Sequence, residues 1–201
     1  VATRKAIQKA LDATYDQLPG LISGSADLTG SNGTGLARTT AFTADDPAGR
    51  YLHYGIREHA MGSALVGMAR HGGTLPISGT FFVFADYMRP PIRLAALSNA
   101  KCCFVFTHDS VGVGEDGPTH QPVEHLATLR AMPNLHVIRP ADGNETIHAW
   151  ADVVRHDGPS VLVLSRQDIR GTTEGAAVER GAGIVTDSGD APRVVLVGTG
   201  S

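Results

Sequence analysis

The sequence predicts an α/β fold with a mostly parallel sheet and helices on both of its faces. Short apolar runs alternate along the chain with longer stretches in which apolar residues recur three and four positions apart, which is the order expected of alternating strands and helices. The run KCCFVFTHD at 101–109 is apolar at consecutive positions, which is typical of a strand buried on both faces.

Helical spacing of apolar residues, often closed by glycine or proline, predicts the helices. The first ends before Pro19-Gly20 and the second before Gly72-Gly73. Pro90-Pro91 should kink or restart the third, because proline cannot donate a helical hydrogen bond. In chain order the predicted helices are 2–18, 56–71, 81–97, 123–130 and 142–156.

Short apolar runs bounded by polar or glycine-rich segments predict the strands between these helices. Ligands of such sheets bind outside the carboxyl ends of the strands, so residues that directly follow a strand are candidates for function. In chain order the predicted strands are 21–28, 51–54, 74–78, 101–109, 135–140 and 160–165.

We divide the chain into a domain at 1–170, a linker at 171–192 and the first strand of a second, truncated α/β domain at 193–201. The linker is rich in glycine, threonine, aspartate and alanine. The chain opens in a helical pattern without an initiator Met and stops where a strand reaches a glycine turn. We therefore expect the sequence to be a piece of a longer protein.

Composition describes a folded protein and excludes disordered and fibrous classes, with 42% hydrophobic and 18% charged residues among 201. The net charge of −3 shows no positive surplus, so neither nucleic acid nor a membrane is expected as a partner. No apolar stretch reaches the roughly 18 residues of a membrane helix. The adjacent Cys102 and Cys103 are predicted to be buried, reduced thiols of a cytoplasmic protein.

The segment YGIREH at 54–59 is the first candidate for chemistry. Glu58 falls near the start of a predicted helix with small and apolar neighbours. One interpretation is a first-turn glutamate that complements the helix dipole. The other is a carboxylate in an apolar pocket with a raised pKa, able to share a proton with a ring nitrogen.

A glycine-rich loop directly after the strand at 101–109 is the second candidate. It carries two histidines, His108 and His120, and three carboxylates, Asp109, Glu115 and Asp116. Loops after buried strands commonly carry function, although capped turns and solvated charge would explain any single residue. Metal binding is a weaker alternative, because the spacing fits no zinc pattern.

Two further groups are suggestive. The segment GTFFVF at 79–84, with Tyr87 a turn later, either packs in the hydrophobic core or binds a flat heteroaromatic ring. Arg4, Ser31, His108 and Arg166 contain the guanidinium and hydroxyl groups that hold a phosphate, but no spacing rule joins them.

Five segments together resemble the transketolases, a family of thiamine diphosphate enzymes. The longest is the sixteen-residue THDSVGVGEDGPTHQP at 107–122. The matching segments are ATRK at 2–5, GSADL at 24–28, YGIREHAM at 54–61, THDSVGVGEDGPTHQP at 107–122 and LSRQ at 164–167. The resemblance covers nearly the whole chain and implies the thiamine diphosphate-binding fold of the family's middle, pyrimidine-type domain plus the first strand of its C-terminal domain.

The resemblance also implies roles for individual residues. Glu58 is similar to the glutamate that hydrogen-bonds the aminopyrimidine ring and drives carbanion formation. The cofactor-binding residues implied by the resemblance are Glu58, Phe81, Phe84, Tyr87, Asp27 and Tyr15, with Asp27 near the thiazolium and Tyr15 near the aromatic pocket. The substrate-binding residues implied are Arg4, Ser31, His108 and Arg166 for the phosphate, and Asp116 and His120, also catalytic, for the hydroxyls and the reacting carbonyl.

In the family the diphosphate and its Mg²⁺ or Ca²⁺ bind to an N-terminal domain of the partner subunit. The resemblance therefore implies a homodimer, sugar phosphates as substrates, no metal ligand in this chain and no ketol transfer by the chain alone. Three alternatives stay open: dihydroxyacetone synthase, another thiamine diphosphate enzyme such as deoxyxylulose phosphate synthase or the β chain of a 2-oxoacid dehydrogenase, and a non-catalytic interaction module of the same fold.

Overall fold

A computed structural model describes residues 1–189 and 191–201 and contains one six-stranded sheet. The strands are β1 Leu21–Ser25, β2 Tyr51–His53, β3 Leu75–Phe81, β4 Cys103–Thr107, β5 His136–Ile138 and β6 Ser160–Leu164. They lie in the order β2-β1-β3-β4-β6-β5, and every neighbouring pair is parallel. The predicted fold class is confirmed.

Six helices connect the strands or flank the sheet. They are α1 Thr3–Thr14, α2 Thr29–Asn32, α3 Glu58–His71, α4 Ala85–Ser98, α5 His125–Arg130 and α6 Gly143–Arg155. Short 3₁₀ turns occupy Tyr15–Gln17, Phe82–Phe84, Pro118–His120 and Ala176–Arg180. In the described part of the chain no helix is both long and apolar enough to cross a membrane.

Two hydrophobic clusters cover the two faces of the sheet, and β4 contributes to both. Phe104 and Phe106 pack with α3 and α4, whereas Cys103 and Val105 face the side of α1 and α6. Full burial of a valine or phenylalanine side chain stabilises the fold by about 1.5–3 kcal/mol relative to its exposure to water. Burial raises the pKa of both adjacent thiols, that of Cys102 to about 12, and both thiols are free.

Helix α4 does not break at its two prolines. It runs continuously from Ala85 to Ser98 with Pro90 and Pro91 inside it. Pro91 is buried against Gly62 of α3, where an added Cβ would lie only 2.9 Å from the proline ring. This close packing of the two helices offsets the hydrogen bonds that the prolines cannot make.

The end of the chain differs from the predicted secondary structure. Residues 193–201 form no strand, and Val194–Val197 are between 73% and 92% exposed, because no strand of the described residues pairs with them. The predicted linker is partly anchored, since Asp142 accepts hydrogen bonds from the backbone N–H groups of Thr172 and Thr173 at 2.7 and 2.8 Å. The division into three segments stays a prediction.

Candidate active site

Most of the predicted functional residues lie at the carboxyl edge of the sheet, where parallel strands end side by side. His108 follows β4, Arg166 follows β6, and Phe81 is the last residue of β3. Asp27 and Ser31 follow β1, with Asp27 exposed and in the left-handed region at φ 63°. The topology thus joins residues that lie far apart in the sequence.

Arg4, Ser31, His108 and Arg166 form a corner at this edge, which we call the cationic corner. The Nη1 atom of Arg4 donates to the Ser31 carbonyl at 2.7 Å, and its Nε atom donates to the Arg166 carbonyl at 3.4 Å. Burial and the charge of Arg166 lower the pKa of Arg4, which indicates two guanidinium groups close together. Such a corner attracts an anion.

His108 is neutral in this corner at pH 7. Burial and the charge of Arg4 lower its pKa to about 4, and the charge of Asp116 acts in the opposite direction. Only 5% of the residue is exposed, because its ring stacks on Phe81 with 3.7 Å between the ring centroids. The corner therefore contains two permanent positive charges and one uncharged imidazole.

An aromatic surface adjoins the corner. Phe81 and Phe84 stack in parallel planes at 6.0 Å, and Tyr87 follows Phe84 at 6.1 Å with 65% of the residue exposed. The ring of His120 meets Phe84 edge-on at 5.4 Å. Phe81 is buried and Phe84 is half-buried, so a flat ring could pack against the accessible parts of Phe84 and Tyr87.

Glu58 is the first residue of α3 and is 93% buried, with 7% exposed. Thr80 of β3 donates its hydroxyl to Oε1 at 3.3 Å, and among the described residues no other hydrogen bond reaches this carboxylate. The helix N-terminus favours negative charge at this position. The carboxylate keeps oxygen lone pairs free for a ligand.

Asp116, His120 and Tyr15 complete the predicted set. Asp116 is exposed on the loop after β4 and acts on His108 electrostatically, and the half-buried His120 contacts the aromatic surface. Tyr15 lies apart, because Arg4 is near the start of α1 and Tyr15 is just beyond its end, roughly 16 Å along the helix axis. There its hydroxyl accepts a hydrogen bond from Arg50 at 2.7 Å.

The structure adds site residues that sequence reasoning missed. Arg139, which the sequence did not suggest, forms a buried ion pair with the candidate Asp109, with 2.8 Å between Arg139 Nη2 and Asp109 Oδ2. Asn32 and Thr107 form a hydrogen-bonded chain to His108. Two of these residues lie next to residues that the sequence did suggest: Thr107 begins the matched segment at 107–122, and Asn32 follows Ser31. No motif or spacing in the sequence pointed to Arg139.

One other cluster offers several metal-ligand atoms. Asp86, Glu124 and His125 have ligand atoms within 4.8 Å of one another. The two carboxylates face opposite nitrogens of the His125 ring, Asp86 at 3.2 Å from Nε2 and Glu124 at 3.9 Å from Nδ1. His125 is buried and both carboxylates are exposed, and among the described residues there is no further such cluster.

A parallel sheet with an aromatic surface, a buried carboxylate and a cationic corner at one edge is an arrangement whose chemistry suits a flat ring joined to an anionic group. A family model described as "Transketolase, pyrimidine binding domain" matches residues 1–172. The chain belongs to the transketolase pyrimidine-binding domain family.

Similar proteins agree in sequence and in fold. Transketolase of Aquifex aeolicus is 51% identical over 207 residues, which cover 99% of this chain and 30% of that protein. A solved transketolase from Leishmania mexicana has a TM-score of 0.91 at 47% identity and covers 94% of this chain and 29% of that one. Transketolase from Pichia stipitis, solved with sedoheptulose-7-phosphate, has a TM-score of 0.86 at 42% identity, and the match covers 90% of this chain and 28% of that one. The chain spans about 30% of its curated relatives' length.

Proposed function

We propose that this chain supplies the pyrimidine-binding half of a transketolase active site. The whole enzyme would transfer a two-carbon ketol unit from a ketose phosphate to an aldose phosphate. The observation that carries the proposal is the buried Glu58 carboxylate, which has one hydrogen bond among the described residues and lies at the N-terminus of a helix beside the carboxyl edge of the sheet.

The side chains at this edge suit thiamine diphosphate. Phe84 and Tyr87, backed by the buried Phe81, offer ring faces to an aminopyrimidine, and Glu58 offers an unshared carboxylate oxygen to a ring nitrogen. When bound, thiamine diphosphate supplies a nucleophilic ring carbon and an electron sink for carbon–carbon bond cleavage. Glu58 would hold a proton between its carboxylate and the ring, and the aromatic side chains would exclude water around it.

The cationic corner suits the phosphate of a sugar phosphate. Arg4 and Arg166 provide guanidinium donors and Ser31 a hydroxyl. Asp116 and His120 would contact substrate hydroxyls and the reacting carbonyl, and Asp27 would lie near the thiazolium. A corner that suits an anion favours phosphorylated substrates over dihydroxyacetone synthase chemistry. The presence of Glu58, Asp116 and His120 in the sequence favours an enzyme over an interaction module.

The proposed enzyme is a cytoplasmic homodimer in which a partner subunit completes each site. Exposed apolar side chains near the site support a covering partner, since Ile56, Tyr87 and Val123 are 80%, 65% and 79% exposed. The diphosphate and a Mg²⁺ or Ca²⁺ ion would bind to an N-terminal domain outside this chain, as the resemblance implies.

Replacing Glu58 by glutamine in the whole enzyme tests the proposal. The amide keeps the shape of the side chain but cannot hold the proton, so transfer from xylulose 5-phosphate to ribose 5-phosphate should fall by at least about 100-fold. The control is Glu174→Gln, a change at an exposed glutamate far along the chain. Unchanged turnover in Glu58→Gln would remove Glu58 from its proposed role.

A further inference from the structure

A chain of buried hydrogen bonds ends on His108. Thr107 Oγ1 lies 3.0 Å from His108 Nδ1 and donates its own proton to Asn32 Oδ1 at 3.0 Å. Asn32 Nδ2 in turn donates to Ser25 Oγ at 3.0 Å. Ser25, Asn32 and Thr107 are fully buried, so water does not compete for these contacts.

The direction of this chain decides which ring nitrogen of His108 carries the proton. A threonine hydroxyl has one proton, and Thr107 directs it to an amide oxygen that has none to return. Thr107 can therefore only accept from His108, so the proton of the neutral ring sits on Nδ1. The Nε2 atom then presents a bare lone pair, and within residues 1–189 and 191–201 it has no hydrogen-bond partner.

We propose that Asn32 and Thr107 are positioning residues that hold His108 as the Nδ1-protonated tautomer, and that the cationic corner consequently binds a phosphate monoester together with one proton. This inference rests on the proposed function for its ligand class. The shared proton lies between Nε2 of His108 and a phosphate oxygen, and no bond of the ester forms or breaks.

The reason is electrostatic. A bare lone pair facing the oxygen of a dianionic ester repels it, whereas the monoanion has a P–OH group that donates to Nε2 while its charged oxygens face Arg4 and Arg166. The charged and titratable groups around His108 are Arg4 on α1, Arg166 after β6, and Asp116 and His120 on the loop after β4. The Glu115 carboxylate partly offsets the positive charge of Arg166, with 3.6 Å between Glu115 Oε2 and Arg166 Nη2.

The first test needs no ligand. The protein is labelled with ¹⁵N-histidine and its NMR spectrum is recorded at pH 7. The Nδ1 signal of His108 should be of the pyrrole type and the Nε2 signal of the pyridine type. Both signals are assigned by their loss in His108→Gln. Thr107→Val removes the acceptor at nearly constant shape and should shift the population toward Nε2–H, whereas Thr107→Ser should keep the wild-type pattern. Protonation on Nε2 in the wild-type chain would overturn the proposal even if neither variant folds.

The second test measures proton uptake by calorimetry in buffers of different ionisation enthalpy. Methyl phosphate at pH 8 is almost wholly dianionic, so its binding should take up about one proton per ligand. Inorganic phosphate dianion retains a P–OH group and should bind with little uptake, and Thr107→Val should lower the uptake of methyl phosphate toward zero.

The two tests separate the positioning claim from the proposed function. Methyl phosphate that binds without proton uptake would overturn the ligand half of the inference. If methyl phosphate does not bind at millimolar concentration, the phosphate role proposed for the corner is wrong as well. The tautomer measured without ligand would still confirm or refute the role of Asn32 and Thr107.

Discussion

Replacing Arg139 by methionine should destabilise the fold more than any change at an exposed charge. Asp109 is buried, with 1% of its side chain exposed, and its Oδ2 accepts from Arg139 Nε and Nη2 at 2.9 and 2.8 Å. Its Oδ1 has no partner among the described residues. Arg139→Met would leave an unpaired carboxylate in the interior, and removal of one partner of a buried pair costs about 3–5 kcal/mol.

Urea unfolding of the chain at pH 7 measures this loss as a lower midpoint at an unchanged slope. The reciprocal change Asp109→Asn should cost less, about 1–3 kcal/mol, because Arg139 is 13% exposed and can reach water. The matched control Lys101→Met breaks an exposed pair with Asp157, worth at most about 1 kcal/mol. A loss below about 1 kcal/mol in Arg139→Met would refute this account of the buried pair.

Three further predictions concern the corner, the anchored linker and Tyr15. Arg4→Ala and Arg166→Ala in the whole enzyme should raise KM for phosphorylated ketoses about 10- to 100-fold more than for free ketoses, and equal effects would make both arginines structural. Although burial opposes it, hydrogen bonds hold the pKa of Asp142 below its ordinary value. This carboxylate therefore stabilises the fold above about pH 4. In urea unfolding, the difference in free energy of unfolding between wild type and Asp142→Asn should become smaller as the pH falls below about 4. A difference that does not change with pH would contradict this. Tyr15→Phe should leave kcat/KM within about twofold while stability falls by about 0.5–1.5 kcal/mol, and a large loss of activity would place Tyr15 in the site after all.

Most of the fold could be predicted because its periodicities are strong. The continuous apolar run around β4 and the helical spacing in α1, α3 and α6 reflect burial that the sheet geometry demands. The prediction that Pro90-Pro91 restarts helix α4 was wrong, because Pro91 packs against Gly62 and no local pattern reveals this tertiary contact. Residues 193–201 have the composition of a strand, but a strand forms only where a neighbour pairs with it.

The candidate site was predictable to a different degree. Spacing made Glu58 and the loop after β4 candidates and left a purely structural interpretation of Glu58 open. The family resemblance was needed to join Arg4, Ser31 and Arg166 to His108. The sequence did not predict the residues that orient these groups. Asn32, Thr107 and Arg139 meet the site from three different segments, so their contacts exist only once the sheet has formed.

Calorimetric titration of thiamine diphosphate into the 201-residue chain, with and without Mg²⁺, tests the central claim most directly. If this chain supplies the ring-binding half of the site, any affinity arises from the aromatic surface and Glu58, and Mg²⁺ should not change it. Tight binding that depends on Mg²⁺ would mean that the chain itself holds the diphosphate and its metal, and would contradict the division of the site proposed above.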